Sequence, residues 1–164
     1  MTHDNPLPDD VLAELMRGLA DAVLIADPAG RIMFWNAGAE RLFGWSAGEA
    51  IGQSLDLIIP ERLRARHWDG WNQTVRTGVT KYGDTLLEVP AQGRDGRKMS
   101  IAFTVSLLTD RDSGAVSAVA AVLRDDTERW QQRREQRDEI ARLRADPRLA
   151  GDDASATTPP TTTS

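Results

Sequence analysis

The chain has no cysteine, a single tyrosine and only two histidines among 164 residues. The lack of thiols excludes disulfides, thiolate metal sites, thiol nucleophiles and cysteinyl–flavin photochemistry, and it agrees with a reducing cytoplasm. No window approaches the about 18 consecutive apolar residues of a membrane span, and the N-terminal Met-Thr-His-Asp-Asn-Pro has no basic region leading into an apolar run. A cytoplasmic, unexported protein with no membrane segment is therefore expected. Excess positive charge is missing as well: the formal net charge is −5 and the pI about 5.0, the wrong balance for a sequence-independent grip on nucleic acid. No Ser/His/acid set, phosphate-cradling loop or cluster of metal ligands is present, so no enzymatic role is expected.

What remains is ordinary globular material, 40% hydrophobic, enough for one domain with flanking segments. Residues 1–8 are polar, contain Pro6 and Pro8, and read as a disordered tail that includes His3. Asp9 or Asp10 can cap an amphipathic helix over 9–20, in which Leu12, Leu15, Met16 and Leu19 recur at helical spacing. Residues 22–26 read as a short buried strand, Asp27-Pro28-Ala29-Gly30 as a type I turn, and 31–35 as a second strand. Asn36 can cap a short helix carrying Leu42 and Phe43 and stopped by Gly44, and Ser46-Ala47-Gly48-Glu49 has capping-box spacing for another.

The next stretch, 56–75, holds His67. Pro60 suits the start of a helix and Gly78 its left-handed stop, which predicts one helix over about 60–77 with Leu63, His67, Trp71 and Thr74 on a single face. An imidazole set in a partly apolar stripe, with Arg62, Arg64 and Arg66 around it, can hold a metal centre whose attached organic acid needs cationic partners. On the helix alone, a packed or half-solvated histidine is the commoner outcome.

Residues 82–91 then read as a strand with Leu87 and Val89 on one side, and Arg94-Asp95-Gly96-Arg97 as a hairpin. Met99, Ile101, Phe103, Val105 and Leu107 alternate with small or polar residues, the cleanest strand pattern in the chain. A turn over 110–114 leads to 115–123, whose Val and Ala residues occupy both faces of a central strand. The expected object is an α+β fold: a five-stranded antiparallel sheet with helices on one face. Asp125 and Asp126 can cap a last helix over 126–146, too sparse in apolar residues (Trp130, Ile140, Leu143) for an independent coiled coil and better suited to an output or dimer helix. Residues 147–164 have the composition of a disordered tail.

Four segments carry a resemblance to a known family. They are Asp21-Ala22-Val23-Leu24-Ile25-Ala26-Asp27 with Gly30-Arg31-Ile32, the run from Trp35 to Trp45, the hairpin Arg94-Asp95-Gly96, and Leu123-Arg124-Asp125-Asp126-Thr127-Glu128-Arg129. Together, over residues 20–130, the chain resembles a PAS domain, with Asp126 where the family's closing motif usually has a branched aliphatic residue. The resemblance implies a sensor domain over 21–125 that works as a homodimer and signals to a partner protein. Pro60-Glu61-Arg62-Leu63-Arg64-Ala65-Arg66-His67 further resembles the corresponding helix of the FixL-type oxygen sensors.

That second resemblance implies haem b with His67 as proximal iron ligand, its other ring nitrogen held by a carbonyl or water. Ile58, Leu63 and Trp71 would wall the proximal side, and Arg64, Arg66 and Lys81 would pair with the propionates. A diatomic gas would sit on the distal side, near Tyr82, Leu87, Phe103 and Val105. The FixL-type pattern has an arginine at the position of Leu87, and an all-apolar pocket favours carbon monoxide or nitric oxide over dioxygen unless Tyr82 or Trp68 supplies a donor. Met99, on the face of Phe103, reads first as a packing residue and second as a sixth ligand, and Gly70 would suit either a flat macrocycle near the backbone or a crowding side chain. The rival readings are a cofactor-free dimerisation module, in which His67 is dispensable, and a non-covalent flavin redox sensor.

Overall fold

The computed structural model describes residues 7–80 and 85–145. Within them the chain falls into two compact units that divide after Thr127. The first contains α1 (Asp9–Gly18), β1 (Ala22–Ala26), β2 (Ile32–Trp35), α2 (Ala37–Phe43), α3 (Ala47–Ala50), a 3₁₀ turn (Leu55–Leu57), α4 (Glu61–Thr77), β3 (Leu87–Gln92), β4 (Lys98–Thr109) and β5 (Val116–Asp125). The second is α5 (Thr127–Ala145) beyond its first residue, a helix with no buried side chain and no apolar stripe. Such a helix has little of its own to bury.

All five strands pair antiparallel in the order β2-β1-β5-β4-β3. This is the expected α+β architecture. Strand periodicity sorts the side chains by face: Leu87, Val89 and Ala91 lie opposite Phe103, Ile101 and Met99, while Phe103 and Val105 lie opposite Leu123 and Ala121. Leu24 stands between Trp35 and Ala121 in the same layer. Against this face pack Ala39, Phe43, Ala50, Leu55 and Ile58 from the helical segment, forming one core.

Local chemistry explains most of the element boundaries. Gly30 N–H donates to Asp27 C=O at 2.9 Å with φ at 77°, closing the β1–β2 turn. Asn36 and Ser46 cap α2 and α3 through their side chains, and Ser46 with Glu49 completes the capping box. Gly78, with φ at 67°, stops α4. Some boundaries differ from expectation, two of them instructively. Pro8, not an aspartate, is the N-cap of α1, and Asp9 and Asp10 sit in its first turn, where their charge still suits the helix dipole. β3 begins at Leu87; the earlier part of the expected 82–91 strand, residues 82–84, lies outside the described residues.

Asn36 joins the N-terminal helix to the sheet. Buried to 2% exposure, its Oδ1 accepts from Val23 N–H (2.8 Å) and Ala39 N–H (2.9 Å), while Nδ2 donates to Met16 C=O (3.1 Å) and Asp21 C=O (3.0 Å). One amide thus satisfies backbone groups from α1, β1 and α2.

Candidate functional site

The face of α4 predicted from spacing is the face that turns inward: Leu63, Arg64, His67, Trp68, Trp71, Thr74 and Val75 are half-buried, whereas Arg62, Arg66 and Asp69 are exposed. No α4 residue is fully buried. The helix is secured along one edge. Trp68 Nε1 donates to Asp56 Oδ1 at 2.8 Å, Trp71 Nε1 donates to Pro28 C=O at 3.0 Å, and the Trp68 indole lies on Gly30, where a side-chain carbon would collide with the ring. Gly30 is therefore needed twice, for its left-handed backbone and for this contact.

His67 sits among these tryptophans, its ring centroid 4.8 Å from Trp68 in an edge-on arrangement and 5.8 Å from Trp71. Its Nδ1 is inaccessible to solvent and has no hydrogen-bond partner among the described residues. Burial pushes its pKa below the ordinary 6.5, with the negative charge of Asp56 opposing in part. The imidazole is thus neutral near pH 7, the form that can ligate a metal.

On the sheet side, Leu87 pairs with Phe103, and Val105 follows on the same face. All three are only half-buried although they belong to the inner layer. The described side chains of that layer on β3, β4 and β5 are apolar near them: Leu87, Val89, Ile101, Phe103, Val105 and Ala121. A half-buried apolar helix face and a half-buried apolar sheet face in one fold can accept a flat hydrophobic group.

Several expected residues take other work. Arg64 donates from Nε to Ile59 C=O (3.1 Å) and from Nη2 to Asp56 C=O (3.1 Å), with the Asp56 carboxylate 3.7 Å away, so it clamps the entry to α4 instead of standing free for a propionate. The Trp68 N–H, a candidate donor to bound gas, is taken by Asp56. Met99 is 4% exposed with its methyl against Gly93, a packing position, not a ligand position. Ile58 is buried in the core and Leu63 half-buried on α4. Arg66 is exposed, and Lys81 and Tyr82 lie outside the described residues. A methyl on Gly70 would meet nothing within 4 Å, which removes the crowding side chain as its explanation. Asp56 carries no mark in the sequence of its two anchoring contacts, since it is a lone aspartate ahead of a helix.

No group of three or more metal-binding side chains occurs among the described residues, and none of their helices is long and apolar enough to cross a membrane. The family model described as the PAS fold matches residues 12–125. Among curated proteins, the chain is 31% identical over 121 residues to the sensor protein FixL of Bradyrhizobium diazoefficiens, covering 73% of this chain and 23% of that protein. It is 29% identical over 103 residues to the oxygen sensor protein DosP of Escherichia coli, covering 63% of this chain and 13% of that protein. The chain therefore spans less than a quarter of the length of either relative. Among solved structures, a PAS domain from Colwellia psychrerythraea superposes with a TM-score of 0.63 at 22% identity, covering 73% of this chain and 97% of that one. An RNA-binding light-oxygen-voltage receptor superposes with a TM-score of 0.66 at 19% identity, covering 86% and 40%.

Proposed function

The chain belongs to the PAS family, and from that premise we propose that it is a sensor of a diatomic gas or of redox state that binds haem b through His67. The observation that supports this most is His67 itself: a neutral imidazole on the inward face of α4, with a buried Nδ1 that no group among the described residues satisfies. A polar atom of that kind calls for an explanation, and a metal ligand is one. The relatives named as a sensor and an oxygen sensor point the same way, as does the resemblance of residues 60–67 to the FixL-type helix.

The residues present fit the group. Leu63 and Trp71 on α4 and Leu87, Phe103 and Val105 on the sheet would line its two faces, with Ile58 behind; Arg66 and Lys81 are the cations left for its propionates once Arg64 is committed to Ile59 and Asp56. When bound, haem supplies an iron atom with a position open to a small ligand. The protein's part is to orient His67, which Trp68 and Trp71 hold in place through Asp56 and Pro28, and to exclude water with apolar side chains.

The signal has a short route out of the sheet. β4 is tied to the start of the last helix by two bonds at Ser100: its N–H donates to Thr127 Oγ1 (3.0 Å), and its C=O accepts from Asp126 N–H (2.8 Å). A shift of β3 and β4 on ligand binding would be felt at Thr127 through them. The output is read by an unidentified partner protein, with the chain working as a cytoplasmic homodimer.

The test is the visible spectrum of the haemin-reconstituted, reduced protein before and after carbon monoxide, for wild type and His67→Ala. A sharp Soret band that moves with carbon monoxide, and that is lost or strongly altered in the variant, is expected. Two colourless proteins, or identical spectra, would leave a cofactor-free module. A yellow, fluorescent protein as purified would instead mean flavin.

A further inference from the structure

At the end of β1 opposite the Pro28 turn, a groove of about 520 Å³ opens where the chain enters β1 and leaves β5. Asp21, Gly38, Arg41, Arg97, Leu123 and Arg124 are among its lining residues. Gly38 allows the close fit of its wall, since a side-chain carbon there would collide with the backbone carbonyl of Asp21. The groove is shallow and open to solvent, so a ligand would be held by charge and not by enclosure.

The charge in this groove is unbalanced. Three arginines line it from three separate elements: Arg41 from α2, Arg97 from the β3–β4 hairpin and Arg124 from β5. Of the two carboxylates that line it, Asp21 is paired with a cation and Asp125 is bonded only to a backbone amide, which leaves three arginines against two carboxylates. Asp21 holds Arg124 bidentately at 2.9 and 2.7 Å, and Asp125 accepts from Thr127 N–H at 2.9 Å. Arg97 donates from Nη2 only to Leu42 C=O (3.2 Å), and Arg41 makes only long contacts, 3.4 and 3.5 Å, to Ala20 and Leu19 C=O. Among the described residues, neither Arg41 nor Arg97 has a carboxylate within salt-bridge distance. On a chain of net charge −5, two uncompensated planar donors beside a third in one concavity are suited to an oxyanion.

We propose that this groove is a second input site, binding a compact dianion: a phosphate monoester or a dicarboxylate. The inference stands apart from the His67 reading. Arg41 and Arg97 would hold the anion, and Arg124 would be shared between it and Asp21. Because Asp21 follows α1 and Arg124 lies two residues before Asp126, an anion drawing on Arg124 alters an ion pair that ties the entry of the sheet to its exit. Occupancy would therefore be felt where both flanking helices leave the domain.

The test is calorimetric titration of the full chain with inorganic phosphate and with succinate, each at ionic strength matched by sodium chloride, in wild type, His67→Ala, Arg41→Gln/Arg97→Gln and Asp21→Asn. Saturable binding of at least one anion is expected, weakened at least tenfold in the double arginine variant, tightened in Asp21→Asn, and unchanged in His67→Ala. The responding anion identifies the phosphoryl or the dicarboxylate class. If the double variant does not fold, Arg41→Gln alone must weaken binding and Arg41→Lys must retain part of it. Heats no larger than those of chloride for both anions, or equal affinity in the arginine variants, would overturn the proposal.

Discussion

Asp56 reaches across twelve residues to accept the indole N–H of Trp68 at 2.8 Å, and this bond fixes the helix that carries His67. The same aspartate receives Arg64 at its carbonyl and is the charge that opposes the burial effect on His67. Asp56, ahead of α4, thus helps to position the imidazole and offsets part of the burial that lowers its pKa.

Replacing it separates those effects. Asp56→Ala leaves a part-buried indole N–H without an acceptor and loosens the Arg64 clamp, which should destabilise the domain by about 1–2 kcal/mol in urea unfolding. In Asp56→Asn, the loss of negative charge should lower the His67 pKa further, read from its imidazole signals in an NMR titration. An unchanged pKa would mean that Asp56 is not the charge His67 senses.

The depressed pKa of His67 sets a pH dependence for the apo protein. Folding disfavours the protonated imidazole, so the unfolded chain binds more protons as pH falls through the ordinary 6.5, and stability drops from there down to the folded pKa. Denaturation midpoints at pH 7.5 and 5.5 should differ more in wild type than in His67→Gln. Equal differences would show that His67 does not contribute.

Gly70 offers a trade between stability and binding. With nothing within 4 Å of its missing methyl, Gly70→Ala should stabilise the apo protein by about 1 kcal/mol. If a macrocycle lies close to that backbone, the same change should weaken haemin binding in a titration. A variant that gains both stability and affinity would remove Gly70 from the site.

The apolar sheet face around Leu87 bears on which gas is favoured. Dioxygen gains from a charge-assisted hydrogen bond worth roughly 1.5–3 kcal/mol, about one to two orders of magnitude in affinity, and carbon monoxide much less. Wild type should therefore prefer carbon monoxide, and Leu87→Gln should narrow that preference, measured as the ratio of the two affinities. Tyr82 carries the chain's only phenol. A fall in dioxygen affinity in Tyr82→Phe would place the missing donor there.

The fold could be read from the sequence because its signals are local. Asn36, Ser46 with Glu49, Gly30 and Gly78 each state their own turn or cap, and the alternation from Met99 to Leu107 states a strand and its faces. The inward face of α4 followed from 3.6-residue spacing alone. The roles of Asp56 and Arg64 did not, since both depend on side chains meeting across a bend that spacing does not describe. The groove beside Arg41, Arg97 and Arg124 was equally hidden: those residues lie far apart in the chain and are brought together only by the packing of α2 against the sheet and by the course of the β3–β4 hairpin. Met99 packs as its place on the inner face of β4 suggests, but its contact with the hairpin Gly93 is beyond what periodicity reports.

The most direct measurement is the iron–histidine stretching band in the resonance Raman spectrum of the reduced, haem-loaded protein, compared with His67→Gly in the absence and presence of free imidazole. If His67 is the ligand, the band is present in wild type, absent in His67→Gly and restored by imidazole. A band that persists in His67→Gly without imidazole would assign the iron to another residue and contradict the reading.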